Sequence, residues 1–131
     1  PEGLSRAFYS RPTIFSAVHS RMQIAQEEIF GPVLVLIPYD SVDEAVEIAN
    51  DTVYGLGAHV QGKDLAAARA VAARIRSGQV HINYPARNPH APGGGYKRCG
   101  NGRESGVEGL EEYLETKAIL GFQAASAPGT E

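Results

Sequence analysis

Apolar residues in the middle of the chain alternate between an unbroken run and a helical spacing. Residues 33–39 are nearly all apolar, which is typical of a strand covered on both faces. Ser41 then begins a capping box with Glu44, and the apolar positions behind it recur every three or four residues as far as Asn50. We therefore predict a strand over 33–39 followed by a helix over 42–50.

The same alternation continues as far as residue 83. Residues 57–61 have the pattern of a short second strand, and Asp64 is placed to cap a helix that Gly78 ends as a left-handed stop. Residues 79–83 are rich in β-branched side chains and predict a third strand. Strands and helices alternating at this spacing favour an α/β fold with a mostly parallel sheet flanked by helices. Ligands of such sheets gather beyond the carboxyl ends of the strands.

A long loop follows the third predicted strand. Residues 84–106 begin with three prolines and one histidine and then contain six glycines, and a loop of this length in a compact domain is usually functional or disordered. Beyond it, residues 106–114 predict a short helix and residues 115–122 a final strand. Residues 124–131 are small and polar, so we expect a flexible tail.

Composition limits the function classes. The 131 residues suit a single modest domain or a piece of one, and the net charge of -3 gives no case for binding nucleic acid or an anionic membrane. One cysteine suits a reducing compartment, and no apolar run approaches the ~20 residues of a membrane span. We expect a soluble, cytoplasmic protein. Because the chain begins at Pro1 instead of Met, we also expect processing or truncation.

The turn before the first predicted strand is the most informative stretch. Residues 26–33 place two carboxylates, Glu27 and Glu28, and the aromatic ring of Phe30 directly before a Gly-Pro stop. Two glutamates at a turn are most often solvated surface groups. A carboxylate held at the mouth of a buried strand is also suited to accept hydrogen bonds from both hydroxyls of a ribose, and a nearby ring can pack on a flat heterocycle.

That turn resembles the Glu-x-Phe-Gly-Pro signature of the NAD(P)-dependent aldehyde dehydrogenase superfamily. Further matches occur in the family's order and spacing over roughly residues 8–122, and include Arg11 to Phe15, Tyr54-Gly55-Leu56 and Gly78-x-Val80-x-Ile82-Asn83. The resemblance implies that Glu28 binds the nicotinamide ribose and that Phe30 packs near the nicotinamide. It implies NAD or NADP as the cofactor, and it leaves the choice between them open.

The glycine-rich stretch of residues 92–106 lacks the spacing of a Walker loop and of a Gly-x-Gly-x-x-Gly loop. It resembles the family string Pro-Phe-Gly-Gly-x-Lys-x-Ser-Gly-x-Gly-x-Glu, with Gly93 in place of phenylalanine and Cys99 in place of serine. The phenylalanine helps to wall the family's substrate tunnel, and a fully buried side chain of that size contributes about 2 kcal/mol. We expect a wider tunnel, a bulkier aldehyde, or a tunnel filled by Tyr84. A polymorphism and a decayed, inactive homologue are alternatives. Cys99 is expected to be a small structural residue and not a nucleophile.

The resemblance implies the C-terminal portion of an aldehyde dehydrogenase, which oxidises an aldehyde to a carboxylic acid. Residues 1–114 would belong to the catalytic domain, and residues 115–123 would be a strand that joins a partner subunit in a homo-oligomer. The family's catalytic cysteine and general base precede this region, so the chain has no catalytic residue of its own and is expected to be inactive alone. The four histidines have no spacing that suggests a metal site. The alternative is a free-standing, non-catalytic assembly or binding module descended from such an enzyme.

Overall fold

The structure, a computed structural model, describes residues 8–121. Its elements in chain order are β1 (Thr13–Phe15), α1 (Gln23–Gln26), β2 (Val33–Val35), α2 (Val42–Asn50), β3 (Gly57–Val60), α3 (Leu65–Ala72), β4 (Gln79–Ile82), a 3-10 helix (Lys97–Cys99) and α4 (Gly106–Glu111). The flexible tail expected at 124–131 lies outside the described residues.

Both predicted helix caps are confirmed. The Ser41 hydroxyl accepts a hydrogen bond from the Glu44 amide at 3.1 Å, and the Glu44 carboxylate accepts one from the Asp40 amide at 2.7 Å. At α3, the Asp64 carboxylate accepts from the amides of the second and third helical residues at 2.9 and 3.1 Å. Each cap satisfies amides that have no partner inside the helix, so both helices begin where the sequence predicts.

The strands form two separate parallel pairs. Strand β1 pairs with β2, and β3 pairs with β4. The parallel pairing of the strands was predicted and is confirmed. The prediction that the strands form a single sheet is wrong within residues 8–121. The first predicted strand is also shorter than expected, since β2 ends at Val35 and the last backbone hydrogen bonds to the β1 segment are made by the amide and the carbonyl of Leu36. Pro38 has no amide hydrogen to continue the ladder.

The pair β3 and β4 is covered on one face and clamped at its end. Helix α3 packs on both strands, and Ala68 of that helix is almost completely buried. Beyond β4, the Asn83 side chain accepts from the Gly62 amide at 2.9 Å and donates to the Gly62 carbonyl at 2.8 Å. This two-way bond joins the segments that follow the two strands. It fixes the point at which the long loop begins.

Two further predictions need correction. Gly78 does not adopt the left-handed conformation expected of a helix stop, and α3 ends at Ala72, several residues earlier. Residues 115–121 form no strand, because no neighbouring strand in the described part of the chain offers them backbone partners. Ile119 and Leu120 are instead 82% and 90% exposed.

Much of the apolar surface has no cover. Three apolar side chains of the described residues are buried, namely Val18, Val46 and Ala68, whereas Ile14 and Leu34 of the β1–β2 pair are 64% and 55% exposed. Within residues 8–121, none of the helices has the length and apolar character that crossing a membrane requires. Uncovered apolar surface of this extent indicates that further polypeptide packs against these elements.

Candidate functional site

The two adjacent glutamates, Glu27 and Glu28, differ in their hydrogen bonds to helix α1. Gln23 donates a side-chain hydrogen bond to the Glu27 carboxylate at 2.9 Å, and the Glu27 amide donates to the Gln23 carbonyl at 3.0 Å. Glu27 therefore closes its own helix. The Glu28 carboxylate makes no hydrogen bond within the described residues and lines a cavity of about 250 Å³. Of the two carboxylates, Glu28 is the one available to a ligand.

Gln26 anchors this turn against the rest of the protein. Its side-chain amide donates to the Ser20 carbonyl at 2.6 Å and to the Asp51 carbonyl at 2.7 Å. Asp51 is the residue that ends α2, so α1 is tied to the end of that helix. The Glu28 cavity lies next to this junction and includes Tyr54 among its lining residues.

Phe30 adopts an unusual backbone conformation and is exposed. Its φ angle is 52°, in the left-handed region that an aromatic residue seldom occupies. Its side chain is 90% exposed and lines neither the Glu28 cavity nor the cavity at Gly93 described below. A strained backbone that presents an apolar ring to the outside is a feature that often marks ligand contacts.

Gly93 lines a second, larger cavity of about 720 Å³ between β4 and the loop at residues 85–92. It pairs with Glu104 in an antiparallel bridge, with N···O distances of 2.6 and 2.9 Å. A Cβ atom at Gly93 would lie 3.5 Å from its nearest neighbour, which is ordinary contact. Sterics do not demand glycine here, so its presence leaves space that a larger residue would fill. Tyr84, the expected alternative filler, does not line this cavity.

Gly78 and Gly95, whose surroundings include the 94–99 stretch, are required by close packing. A Cβ atom at Gly78 would lie 1.8 Å from the Gly94 carbonyl oxygen, and one at Gly95 would lie 2.4 Å from the Cβ of Cys99. The Lys97 ammonium donates to the carbonyls of Asn50 and a neighbouring residue, both at 2.9 Å. These contacts support the structural role that the sequence predicted for the stretch. The Lys97 ammonium thus holds backbone carbonyls in place.

Cys99 is held by packing in the same stretch. Its sulfur accepts a hydrogen bond from the Gly55 amide at 3.3 Å, as a serine oxygen would. It lines the Glu28 cavity, together with Ser77, whose buried hydroxyl has no partner in the described residues. No motif in the sequence indicated Ser77. Nor did any indicate Arg87, which lines the Gly93 cavity and could be anticipated only from its loop following a parallel strand.

The structure does not bring the three sequence-predicted site residues into one cavity. Glu28 and Gly93 line different cavities, and Phe30 lies outside both. The described residues also bring together no cluster of three or more histidine, cysteine, aspartate or glutamate side chains that could hold a metal ion. His59 and His81 do stack, with ring centroids 4.9 Å apart.

Comparison with known proteins gives consistent matches. Residues 1–119 match the model of the aldehyde dehydrogenase family. A 3-succinoylsemialdehyde-pyridine dehydrogenase from a Pseudomonas species is 51% identical over 125 residues, which are 95% of this chain and 26% of that protein.

Solved structures extend the match to the fold. One solved structure is that of aldehyde dehydrogenase C of Pseudomonas syringae, a cysteine-to-alanine mutant in complex with NAD+ and octanal. It is 70% identical to this chain with a TM-score of 0.88, and the match covers 97% of this chain and 26% of the Pseudomonas syringae chain. An aldehyde dehydrogenase of Mycobacterium tuberculosis in complex with NAD+ is 46% identical with a TM-score of 0.84, covering 95% and 26%. The chain thus spans about a quarter of the length of these relatives.

Proposed function

Because this chain belongs to the aldehyde dehydrogenase family, we propose that it is the C-terminal part of an enzyme that oxidises an aldehyde to a carboxylic acid with NAD+. The observation that carries the proposal is the match over residues 1–119 to the family. The two solved relatives described above contain NAD+, which favours NAD+ over NADP. Because the chain spans about a quarter of these relatives, the activity belongs to the longer protein, hereafter the parent enzyme.

The turn at residues 27–32 suits a nicotinamide riboside. Glu28 offers a carboxylate that its own chain leaves without a hydrogen bond in the described residues, and two ribose hydroxyls would supply charge-assisted ones. Phe30 offers an exposed ring two residues away. Bound NAD+ would supply the hydride acceptor of the reaction. In the proposed enzyme, Glu28 holds the ribose, and contact with Phe30 limits the tilt of the nicotinamide.

The Gly93 cavity suits the organic part of an aldehyde. Its volume of about 720 Å³ falls within the range of small-molecule sites, roughly 300 to 1,000 Å³. The small residue at Gly93 leaves room for a bulkier aldehyde than a phenylalanine would. No residue of this chain is assigned to bond making, and Cys99 is committed to the Gly55 amide. We therefore propose that the isolated chain is inactive.

A third proposal concerns assembly. Residues 115–121 are exposed and unpaired within the described part of the chain, and Ile119 and Leu120 present apolar surface. An unpaired segment with exposed apolar side chains is suited to add to the sheet of a partner subunit. We propose that residues 115–123 make this contact in a homo-oligomer.

The adjacent glutamates allow a matched test of the cofactor site. In the parent enzyme, Glu28→Gln should raise KM for NAD+ by about tenfold, since weakening one charge-assisted hydrogen bond costs about 1.5 kcal/mol. Glu27→Gln should leave KM for NAD+ unchanged, because the amide oxygen still accepts from Gln23. NADH absorbance with octanal as substrate gives both constants, with the isolated chain as the inactive control.

The outcomes separate the parts of the proposal. If the parent enzyme forms no NADH with octanal or any other aldehyde, the proposed activity is wrong. If it does form NADH but the two variants have equal KM values for NAD+, the activity stands and the assignment of Glu28 is wrong.

A further inference from the structure

The walls of the Gly93 cavity are more polar than a plain hydrocarbon chain needs. Apolar residues such as Val80 and Pro92 cover part of the surface. Six of the fourteen lining residues carry polar or titratable side chains: Gln79, His81, Arg87, Asn88, Glu104 and Ser105. Polar groups in a binding site fix the orientation and the identity of the ligand. The polar groups that remain free therefore indicate the polar end of the ligand.

Two of these polar groups are already used by the protein itself. The Gln79 side chain donates to the Pro92 carbonyl at 2.9 Å, and the Asn88 side chain accepts from the His90 amide at 3.0 Å. Both bonds shape the loop that forms the cavity wall. These two amide groups are thus engaged in holding the wall. The polar side chains without a hydrogen bond in the described residues are His81, Arg87, Glu104 and Ser105.

Arg87 is the one permanently cationic side chain among the residues that line the cavity. The ion pair formed within residues 8–121 joins Arg74 to Asp43, so no carboxylate of the described chain lies within 4.0 Å of the Arg87 guanidinium. Glu104 also lines the cavity, on the wall that its backbone forms with Gly93. The cavity is thus lined by a cationic residue on its loop wall and by an acidic residue on its Gly93 wall.

We infer that Arg87 selects aldehydes that carry a carboxylate at the end remote from the carbonyl group. This inference rests on the proposed function and adds a substrate class to it. A guanidinium presents two parallel donors that match the two oxygens of a carboxylate. Glu104 repels the same carboxylate, so the two charges together direct the anionic end of the substrate towards the loop wall. The space left by Gly93 accommodates the chain between the two ends.

The test compares two aldehydes of equal length in the parent enzyme. Octanal ends in a methyl group, and suberic semialdehyde ends in a carboxylate on the same number of carbons. The measured quantity is the ratio of kcat/KM for suberic semialdehyde to kcat/KM for octanal. In Arg87→Met this ratio should fall up to about fivefold, the effect of an ion pair of ~1 kcal/mol at an exposed position. Added salt should lower the ratio in the parent and have little effect on it in this variant.

Arg98→Met is the matched control. Arg98 is exposed, lines neither this cavity nor the one at Glu28, and bonds to Val53 through its backbone amide, which the substitution retains. It removes the same net charge, so the ratio should stay at the parent value. A similar fall in both variants would show a general charge effect and overturn the role of Arg87.

Two further outcomes also decide the matter. If the parent oxidises octanal and Arg87→Met leaves the ratio unchanged, the inference is overturned while the proposed function stands. If the parent oxidises neither aldehyde while a folded enzyme of proven NAD+ affinity is present, the proposed function fails and the inference fails with it.

Discussion

Replacement of Gly78 by alanine should disturb the protein more than any other single methyl group considered above. The added Cβ atom would lie 1.8 Å from the Gly94 carbonyl oxygen, 2.7 Å from the Gly94 carbonyl carbon and 2.9 Å from the Cα atom of Gly95. All three are backbone atoms, so no side chain can rotate away to relieve the overlap. An ordinary contact is about 3.5 Å, roughly 1.7 Å longer than the 1.8 Å separation. Either the start of β4 or the 93–95 segment must therefore move by more than 1 Å.

The cost can be estimated from overpacking in general. Inserting a methyl group into a well-packed site costs about 1 to 3 kcal/mol, and a clash with backbone places Gly78→Ala at the upper end of that range. In a cooperative unit of about 150 to 250 residues, a loss of ~3 kcal/mol lowers Tm by roughly 6 to 12 °C. Since Gly78 and Gly93 both line the larger cavity, KM for the aldehyde should change as well.

Gly57→Ala provides the control for this prediction. Gly57 lies in β3, and a Cβ atom there would meet nothing within 4 Å. Alanine in place of glycine at an open position should be neutral or slightly stabilising, by less than about 1 kcal/mol. The assay is the apparent Tm of the parent enzyme at one fixed heating rate, because large proteins often unfold irreversibly. Equal Tm values for the two variants would refute the steric reasoning.

Two other predictions follow from contacts described above. Lys97→Met removes two hydrogen bonds to backbone carbonyls and should lower the free energy of unfolding by about 2 kcal/mol. Lys63→Met, at an exposed position, is the control and should have no effect. Equal Tm values for the two variants would contradict the structural role of Lys97. Shortening the parent enzyme after Leu114 should reduce the mass of its assembly in sedimentation experiments, and an unchanged mass would exclude residues beyond 114 from the subunit contact.

Local signals in the sequence predicted the elements best where they specify a definite hydrogen bond. The side chains of Ser41 and Asp64 each mark a helix start by accepting from amides that the helix leaves unsatisfied, and both helices begin there. Strand β1 and helix α1 were not predicted, because three or four residues are too few to establish a periodicity.

Features that depend on distant residues could not be predicted in the same way. The separation into two strand pairs and the unpaired segment at 115–121 depend on which strands are available as neighbours, which periodicity does not encode. Likewise, the difference between Glu27 and Glu28 depends on the hydrogen bond that the Gln23 side chain donates to Glu27. The position of Arg87 in the cavity wall depends on how the loop folds over β4. The family resemblance identified Glu28 and Gly93 as site residues; their placement in different cavities is a result of the fold.

The two-way bond between Asn83 and Gly62 has a consequence for how such enzymes diverge. Because it fastens the segments after β3 and β4 at the last point before the loop, the sheet does not depend on the loop for its alignment. Changes in the length or composition of residues 84–91 should therefore leave the strands and α3 in place, whereas Pro92 is tied to β4 by the Gln79 side chain. Under the proposed function, selectivity for different aldehydes should change on exchange of residues 84–91 alone, a module bounded by Asn83 on one side and Pro92 on the other.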